Sequence, residues 1–131
     1  MVVGTKVVIS VGLLSSEFID NLINLLMDKY SVNAERIYST GMSNGGFFSF
    51  HLACNLNASF AAIASVTGSM SYETFENCNA RKPTPVLQIH GSIDTVVPYN
   101  GIESIMKPVS EVIEYWKLMT TISITLQNKS I

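Results

Sequence analysis

One stretch of the sequence decides the fold: IYSTGMSNGG, residues 37–46. Three of its first four residues are apolar or β-branched, and the four predict a short strand. Glycines at positions 41 and 45 then flank Ser43 in a G-x-S-x-G pattern, which reverses the backbone so tightly that side chains two residues from the serine would collide. Because this turn leaves the hydroxyl at its tip, Ser43 is the candidate nucleophile.

An apolar helix is predicted directly after this turn. Its apolar residues fall on most faces of a helix, as expected for a helix buried against a sheet: Phe47, Phe48, Phe50, Leu52, Ala53 and Leu56. Asparagines at positions 55 and 57 tolerate the left-handed conformation found at helix ends, so we expect the helix to stop there. Strand, turn and helix together form the context that the motif requires, and a plain tight turn is the alternative.

Helices and apolar strands alternate along the rest of the chain. Ahead of the motif, an amphipathic helix is predicted from Ser10 to about Lys29, followed by a polar connector over residues 30–36. After the motif, residues 60–66 form an almost wholly apolar run that is typical of a strand covered on both faces. Residues 68–82 are polar and aperiodic, and they predict a surface loop.

The last third of the chain continues the alternation. Residues 86–90 predict another buried strand, a helix is predicted after Pro108, and residues 122–126 alternate as a strand would. Such alternation predicts an α/β fold, a mostly parallel sheet with helices on both faces, formed by a single domain over residues 1–131.

Composition limits the classes of function. With 131 residues and 47% apolar content, the chain can bury the core of one domain. Its net charge of -2 and 8 scattered basic residues offer no footprint for nucleic acid or an anionic membrane. Apolar runs stop short of the roughly 18 residues of a membrane span. Lys6 and residues 7–14 faintly resemble a signal peptide without an A-x-A site, and we interpret the sequence as mature protein.

The two cysteines, Cys54 and Cys78, leave two interpretations open. They lack C-x-x-C spacing and the sequence has only two histidines, so neither a zinc site nor any cofactor is predicted. A disulfide would fit an exported protein, whereas two unrelated buried thiols would fit an intracellular one.

A second functional residue follows the strand predicted at residues 86–90. Asp94 lies just past its carboxyl end, where open α/β sheets place their functional groups. A serine nucleophile needs a base, usually a histidine held by a carboxylate, and Ser43 followed by Asp94 begins the serine, aspartate, histidine order of α/β-hydrolases. No histidine follows Asp94 in this sequence. His51, two helical turns past the serine, is predicted to pack on the helix surface, and His90 is a weak candidate base beside the oxyanion region.

The developing negative charge on an attacked carbonyl oxygen needs hydrogen-bond donors. The backbone N–H of Asn44, directly after the nucleophile, is predicted to be one of them. The other normally comes from a loop after an earlier strand, which we expect to precede Met1.

These features carry a resemblance to a known family, the extracellular polyhydroxybutyrate depolymerases and feruloyl or acetylxylan esterases. The resembling segments are VGLL at 11–14, FID at 18–20, RIYSTGMSNGG at 36–46, LAC at 52–54, FAAIA at 60–64 and HGSIDTVVPY at 90–99. The resemblance implies that Ser43 is the nucleophile, that Asp94 is the acid and that Cys54 and Cys78 are paired. It also implies a secreted enzyme that acts on a polyester or a plant cell-wall ester.

Members of that family have strands and an oxyanion loop ahead of the segment matching residue 11, and a glycine-flanked histidine after the segment matching residue 116. We therefore expect this sequence to correspond to a truncated α/β-hydrolase domain with an incomplete sheet edge through which it self-associates. Two other functions compete with an esterase: a noncatalytic remnant of such a domain, and a serine peptidase or thioesterase of the same fold.

Overall fold

Parallel strands connected by helices form the part of the chain that the structure describes. The structure is a computed structural model, and it describes residues 2–3, 16–56, 60–80 and 82–119. Its elements in chain order are β1 (Val2–Val3), α1 (Ser16–Lys29), a 3-10 turn (Ala34–Arg36), β2 (Tyr38–Met42), α2 (Asn44–Asn55), β3 (Ala62–Val66), α3 (Tyr72–Glu76), β4 (Val86–Ile89) and α4 (Val109–Met119).

The strands form one sheet in the order β1-β2-β3-β4, and every neighbouring pair is parallel. Parallel neighbours need a crossover connection, which is why a helix lies between successive strands. The register pairs Met42 with Val66 and Val66 with Ile89, so β2, β3 and β4 end at the same edge. The predicted α/β class is confirmed, and β1 is a strand that the sequence did not predict.

Side chains alternate across the sheet between a buried and an exposed face. Ile37 and Ile63 on one face are buried with residues of α1, α2 and α4 in a common core. On the other face, exposure ranges from 37% to 70% for four apolar side chains: Tyr38, Met42, Leu87 and Ile89. The sequence predicts helices on both faces of the sheet, but within the described ranges they pack on one face only. The apolar runs of β3 and β4 bury every second side chain, because successive side chains of a strand point to opposite faces.

The segment predicted as a loop at 68–82 contains both buried residues and a helix. Ser69 is 1% and Met70 is 0% exposed, which is a correction to the predicted surface loop. Helix α3 begins after Ser71, whose Oγ accepts a hydrogen bond of 3.1 Å from the N–H of Thr74. A helix of five residues is too short to show an apolar period in the sequence, which is why it was missed.

Three sequence predictions fall on residues outside the described ranges. They are the strand at 122–126, the start of the first helix before residue 16, and the signal-like stretch at 7–14. No helix in the described ranges has the length and hydrophobicity that a bilayer crossing requires.

A disulfide joins Cys54 to Cys78, as the resemblance implied. It connects the last turn of α2 to the segment that follows α3, across a separation of 24 residues. Cys54 is also buried in the common core. The bond therefore anchors the segment after α3 to the helix that carries the candidate nucleophile at its other end.

Candidate active site

Ser43 occupies a strained turn between β2 and α2. Its φ of 54° and ψ of -119° are sparsely populated by residues other than glycine. The surrounding backbone fixes this conformation, since the Ser43 N–H donates to Val66 O at 2.8 Å and its carbonyl accepts the N–H groups of Gly46 and Phe47. The hydroxyl forms no capping bond to the helix. Strain held by the scaffold and a hydroxyl that is not used for capping are typical of a nucleophile elbow.

The two motif glycines differ in how strongly the structure requires them. A Cβ at Gly41 would lie 2.4 to 2.6 Å from backbone atoms of Gly45, whereas a Cβ at Gly45 would meet nothing within 4 Å. The predicted collision is therefore one-sided: Gly41 must lack a side chain so that the backbone at Gly45 can pass. Gly46 is a further requirement, because its Cβ would lie 2.5 Å from Ser65 Oγ and 3.0 Å from the Cα of Gly68.

This asymmetry leads to a prediction about stability. Gly41→Ala should lower the free energy of unfolding by about 2 kcal/mol or more, since the backbone of the turn would have to move. Gly45→Ala is the matched control, and it should leave stability unchanged or raise it by about 0.5 kcal/mol, because alanine favours helix. Urea unfolding of the two variants measures the difference. Equal loss of stability in both would contradict the one-sided collision.

Two buried serines fix the start of α2 against β2. Ser49 Oγ donates to Gly45 O at 2.9 Å and lies 2.9 Å from Ser39 Oγ. Because the Ser49 proton is used on the carbonyl, Ser39 donates to Ser49. This contact could not be predicted from the sequence, because isolated serines in apolar segments give no signal of their partners.

Asn44 is the first residue of α2, so its N–H has no acceptor within the helix. The positive end of the helix dipole lies at the same place. Both features favour a negatively charged oxygen near Ser43, in the position that the sequence predicted for an oxyanion donor.

Asp94 lies in the turn after β4, and its carboxylate is held by the backbone. Oδ1 accepts hydrogen bonds of 2.9 Å from the N–H groups of both Val96 and Val97. These bonds, the Val97 bond first, hold the pKa of the carboxyl below its ordinary value, so Asp94 is ionised at neutral pH. Oδ2 accepts no hydrogen bond from the described residues and is 4.0 Å from His90 Nε2. An ionised acid with one oxygen available suits the task of holding a base.

Neither histidine is placed to serve Ser43 as a base. His51 is half-buried on α2, where it stacks on Phe48 with ring centroids 6.0 Å apart and lies 3.5 Å from Thr74 Oγ1. Burial lowers its pKa, and the charge of Glu73 opposes that effect. His90 has a side chain that is 2% exposed and lies 2.7 Å from Val97 O. It therefore belongs to the Asp94 turn and not, as the sequence suggested, to the oxyanion region.

The strand register brings the predicted site residues to one edge of the sheet. Ser43, Thr67 and His90 each follow the last residue of β2, β3 and β4, and those last residues are paired. The backbones of Ser43 and His90 are therefore about 10 Å apart, which is twice the spacing between neighbouring strands. Thr67, between them, also has a positive φ of 47°, which is rare for a β-branched residue. This second strained position could not be predicted, because Thr67 is not a glycine and no turn motif marks it in the sequence.

Other chemistry is not indicated in the described part of the chain. No group of three or more His, Cys, Asp or Glu side chains that could hold a metal ion occurs there. A surface depression of about 390 Å³ is lined by Phe75 of α3 and by residues of α4 that include Tyr115 and Leu118. It contains neither Ser43 nor Asp94, so we assign no reaction to it.

The sequence of this chain is similar to those of known esterases. The family described as Phospholipase/Carboxylesterase matches residues 13–124. A bifunctional acetylxylan esterase/xylanase, XynS20E of Neocallimastix patriciarum, is 27% identical over 96 residues, which are 73% of this chain and 14% of that protein. Feruloyl esterase B of Piromyces equi is 34% identical over 87 residues, 65% of this chain and 16% of that protein.

A solved structure shares the fold. A thermostable esterase has a TM-score of 0.61 and 24% identity, with 76% of this chain and 24% of that chain covered. The chain thus spans less than a quarter of the length of each of these three proteins.

Proposed function

Because the chain belongs to the phospholipase/carboxylesterase family, we propose that it is the nucleophile-bearing part of a serine carboxylic ester hydrolase. The observation that carries this proposal is Ser43 at a positive φ of 54°, directly before the first residue of α2. Strain of this kind persists only where the surrounding structure over-determines it, and it is found preferentially at functional sites.

In the proposed reaction, Ser43 Oγ attacks the ester carbonyl carbon while a base takes the hydroxyl proton. The N–H of Asn44 donates to the oxyanion of the tetrahedral intermediate. The C–O bond to the alcohol then breaks, the base returns its proton to the leaving oxygen, and an acyl-serine remains. Water, activated by the same base, attacks the acyl carbon and releases the carboxylic acid together with the free Ser43 hydroxyl.

The base in this proposal is a histidine held against Asp94 Oδ2. His51 lies along α2 at about 12 Å of helix from Ser43, and the ring of His90 is engaged by Val97 O at 2.7 Å. We therefore assign the base to a histidine that is not among the 131 residues. Ser43, Asp94 and the Asn44 N–H are the groups that this chain supplies.

The proposed substrates are polyesters or plant cell-wall esters such as feruloyl and acetyl esters. The acetylxylan and feruloyl esterases among the relatives support the cell-wall class. The proposed location is extracellular, supported by the Cys54–Cys78 disulfide, since such bonds persist in oxidising compartments.

A panel of substrates tests the class of reaction. The chain, extended by a segment that places a histidine against Asp94 Oδ2, is offered a short aryl ester, a methyl hydroxycinnamate ester, an acyl thioester and a peptide of matched acyl group. Hydrolysis of the oxygen esters above the rate of Ser43→Ala supports the proposal. Preference for the thioester or the peptide would assign the chain to the competing thioesterase or peptidase activity.

A noncatalytic binding protein is the second candidate, and one observation favours it: His51 is about two helical turns from Ser43, and the ring of His90 is engaged by Val97 O. Losing the base of a serine hydrolase costs on the order of 10⁶ in turnover. If an ester binds to the protein but no hydrolysis that is lost in Ser43→Ala is measured, this second candidate is correct.

We also expect the isolated chain to self-associate through its incomplete sheet edge, where β4 is the outermost strand of the described sheet. Leu87 and Ile89 are 45% and 49% exposed beside other apolar side chains, and such patches favour association. Ile89→Lys should shift the sedimentation coefficient toward the monomer. Leu118→Lys, at an apolar position on α4 that is 88% exposed and lies outside the sheet, is the control and should not. A wild-type chain that is monomeric and melts cooperatively at high temperature would contradict the expectation.

A further inference from the structure

His90 is buried, and both of its ring nitrogens have partners. Its side chain is 2% exposed. Nε2 lies 2.7 Å from the carbonyl oxygen of Val97, and Nδ1 lies 3.1 Å from Nε2 of Gln88. Because both nitrogens are engaged and solvent does not reach the ring, His90 has a task other than exchanging protons with Ser43.

The partners determine which nitrogen carries the proton. Gln88 Nε2 also lies 2.8 Å from Gly68 O, and a carbonyl oxygen only accepts, so the amide must donate there. Its second N–H then points at His90 Nδ1, which accepts. At the other end Val97 O needs a donor, which is the Nε2–H. The reverse orientation of Gln88 would place two oxygens against each other at Gly68.

Val97 connects the ring to the carboxylate of Asp94. Its carbonyl accepts from His90, while its own N–H donates to Asp94 Oδ1 at 2.9 Å. The direct approach of His90 Nε2 to Asp94 Oδ2 is 4.0 Å, too long for a hydrogen bond. His90 therefore acts on Asp94 through Val97.

We propose that His90 is a positioning residue: held by Gln88 in the tautomer protonated on Nε2, it fixes Val97 so that the Val97 N–H orients the Asp94 carboxylate. This inference rests on the proposed function only where it takes Asp94 as the acid of the reaction. The Val97 bond is also the largest cause of the lowered pKa of Asp94, so loosening Val97 should raise that pKa toward its ordinary value.

Nitrogen-15 NMR of the unmodified protein tests the tautomer and needs no activity. At neutral pH we expect His90 Nε2 to give the signal of a protonated ring nitrogen and Nδ1 that of an unprotonated one. A proton on Nδ1, or averaging between the two tautomers, would overturn the proposal. His51 supplies the comparison in the same spectrum, since its weak contacts of 3.5 Å to Asn55 Nδ2 and Thr74 Oγ1 do not fix one tautomer.

Substitutions test the effect on Asp94. In His90→Phe the ring volume stays but the donor is lost, and we expect amide exchange at Val97 to accelerate about tenfold or more together with a raised pKa of Asp94. His90→Gln restores a donor near the position of Nε2 and should recover both quantities. His51→Phe is the matched control and should change neither. An unchanged Val97 amide and Asp94 pKa in His90→Phe would overturn the proposal.

The outcomes separate this inference from the esterase proposal. If the chain hydrolyses no ester, the ring spectrum and the Val97 exchange still decide the role of His90. If it does, His90→Phe should lower kcat more than it changes KM, and His90→Gln should recover kcat. Should His90→Phe fail to fold, the ring spectrum of the unmodified protein and the His90→Gln variant give the decision.

Discussion

Extending the chain by a segment that places a histidine against Asp94 Oδ2 is expected to raise ester hydrolysis by several powers of ten. The reason is that a serine hydroxyl is a poor nucleophile until a base takes its proton, and neither His51 nor His90 is placed to do so. Initial rates on a short aryl ester, measured for the isolated and the extended chain, give the comparison.

Two variants of the extended chain make this result specific. Ser43→Ala should abolish the gain, lowering kcat by about 10⁶, while Ser92→Ala, at an exposed serine near Asp94, should retain it. A gain that survives Ser43→Ala would show that the nucleophile lies elsewhere. An isolated chain that already turns over at the extended chain's rate would show that His51 or His90 is the base after all.

Removing the disulfide is expected to have the largest effect on stability. Cross-linking positions separated by 24 residues lowers the entropy of the unfolded chain, which corresponds to about 3 to 4 kcal/mol of stability in the chain-entropy description. The variant with both Cys54→Ala and Cys78→Ala should therefore show a lower urea midpoint. Cys54 is 5% exposed, so its substitution also removes some packing.

Reduction of the wild-type protein separates these two contributions. Reduced protein keeps both side chains but loses the bond. Reduction should therefore cause most of the loss of unfolding free energy that is measured in the double variant. Equal stability of the oxidised and reduced forms would contradict a structural role for the disulfide. It would also remove the main structural support for an extracellular location.

The sequence predicted those parts of the fold whose signals are local. The strand, turn and helix around Ser43 follow from apolar residues and glycines within about 20 positions, and the structure places β2 and α2 there, with α2 beginning at Asn44 and not at residue 47. Helix α4 likewise follows from an apolar period after Pro108. Periodicity predicts such elements because the spacing of apolar residues along each of them shows which of its faces is buried.

Partners distant in sequence were not predictable in the same way. Gln88 contacts Gly68 across 20 residues, and the close approach of Gly46 to Gly68 joins two different crossovers. The exposed face of β4 was missed because the run VLQIH looks buried on both sides, although Leu87 and Ile89 point away from the core. Asp94 could be predicted because open α/β sheets place their functional groups just past the carboxyl ends of strands. The hydrogen bonds that hold its carboxylate could not be predicted.

The covalent fate of Ser43 tests the central claim most directly. The protein is incubated with a fluorophosphonate, digested with trypsin, and the peptide covering residues 37–81 is fragmented to locate the added mass. We expect slow labelling, because no base is in reach, with the mass on Ser43 and on none of the other serines in that peptide. Labelling should disappear in Ser43→Ala and persist in Ser92→Ala. An adduct on another residue, or equal labelling of Ser43→Ala, would contradict the identification of Ser43 as the nucleophile.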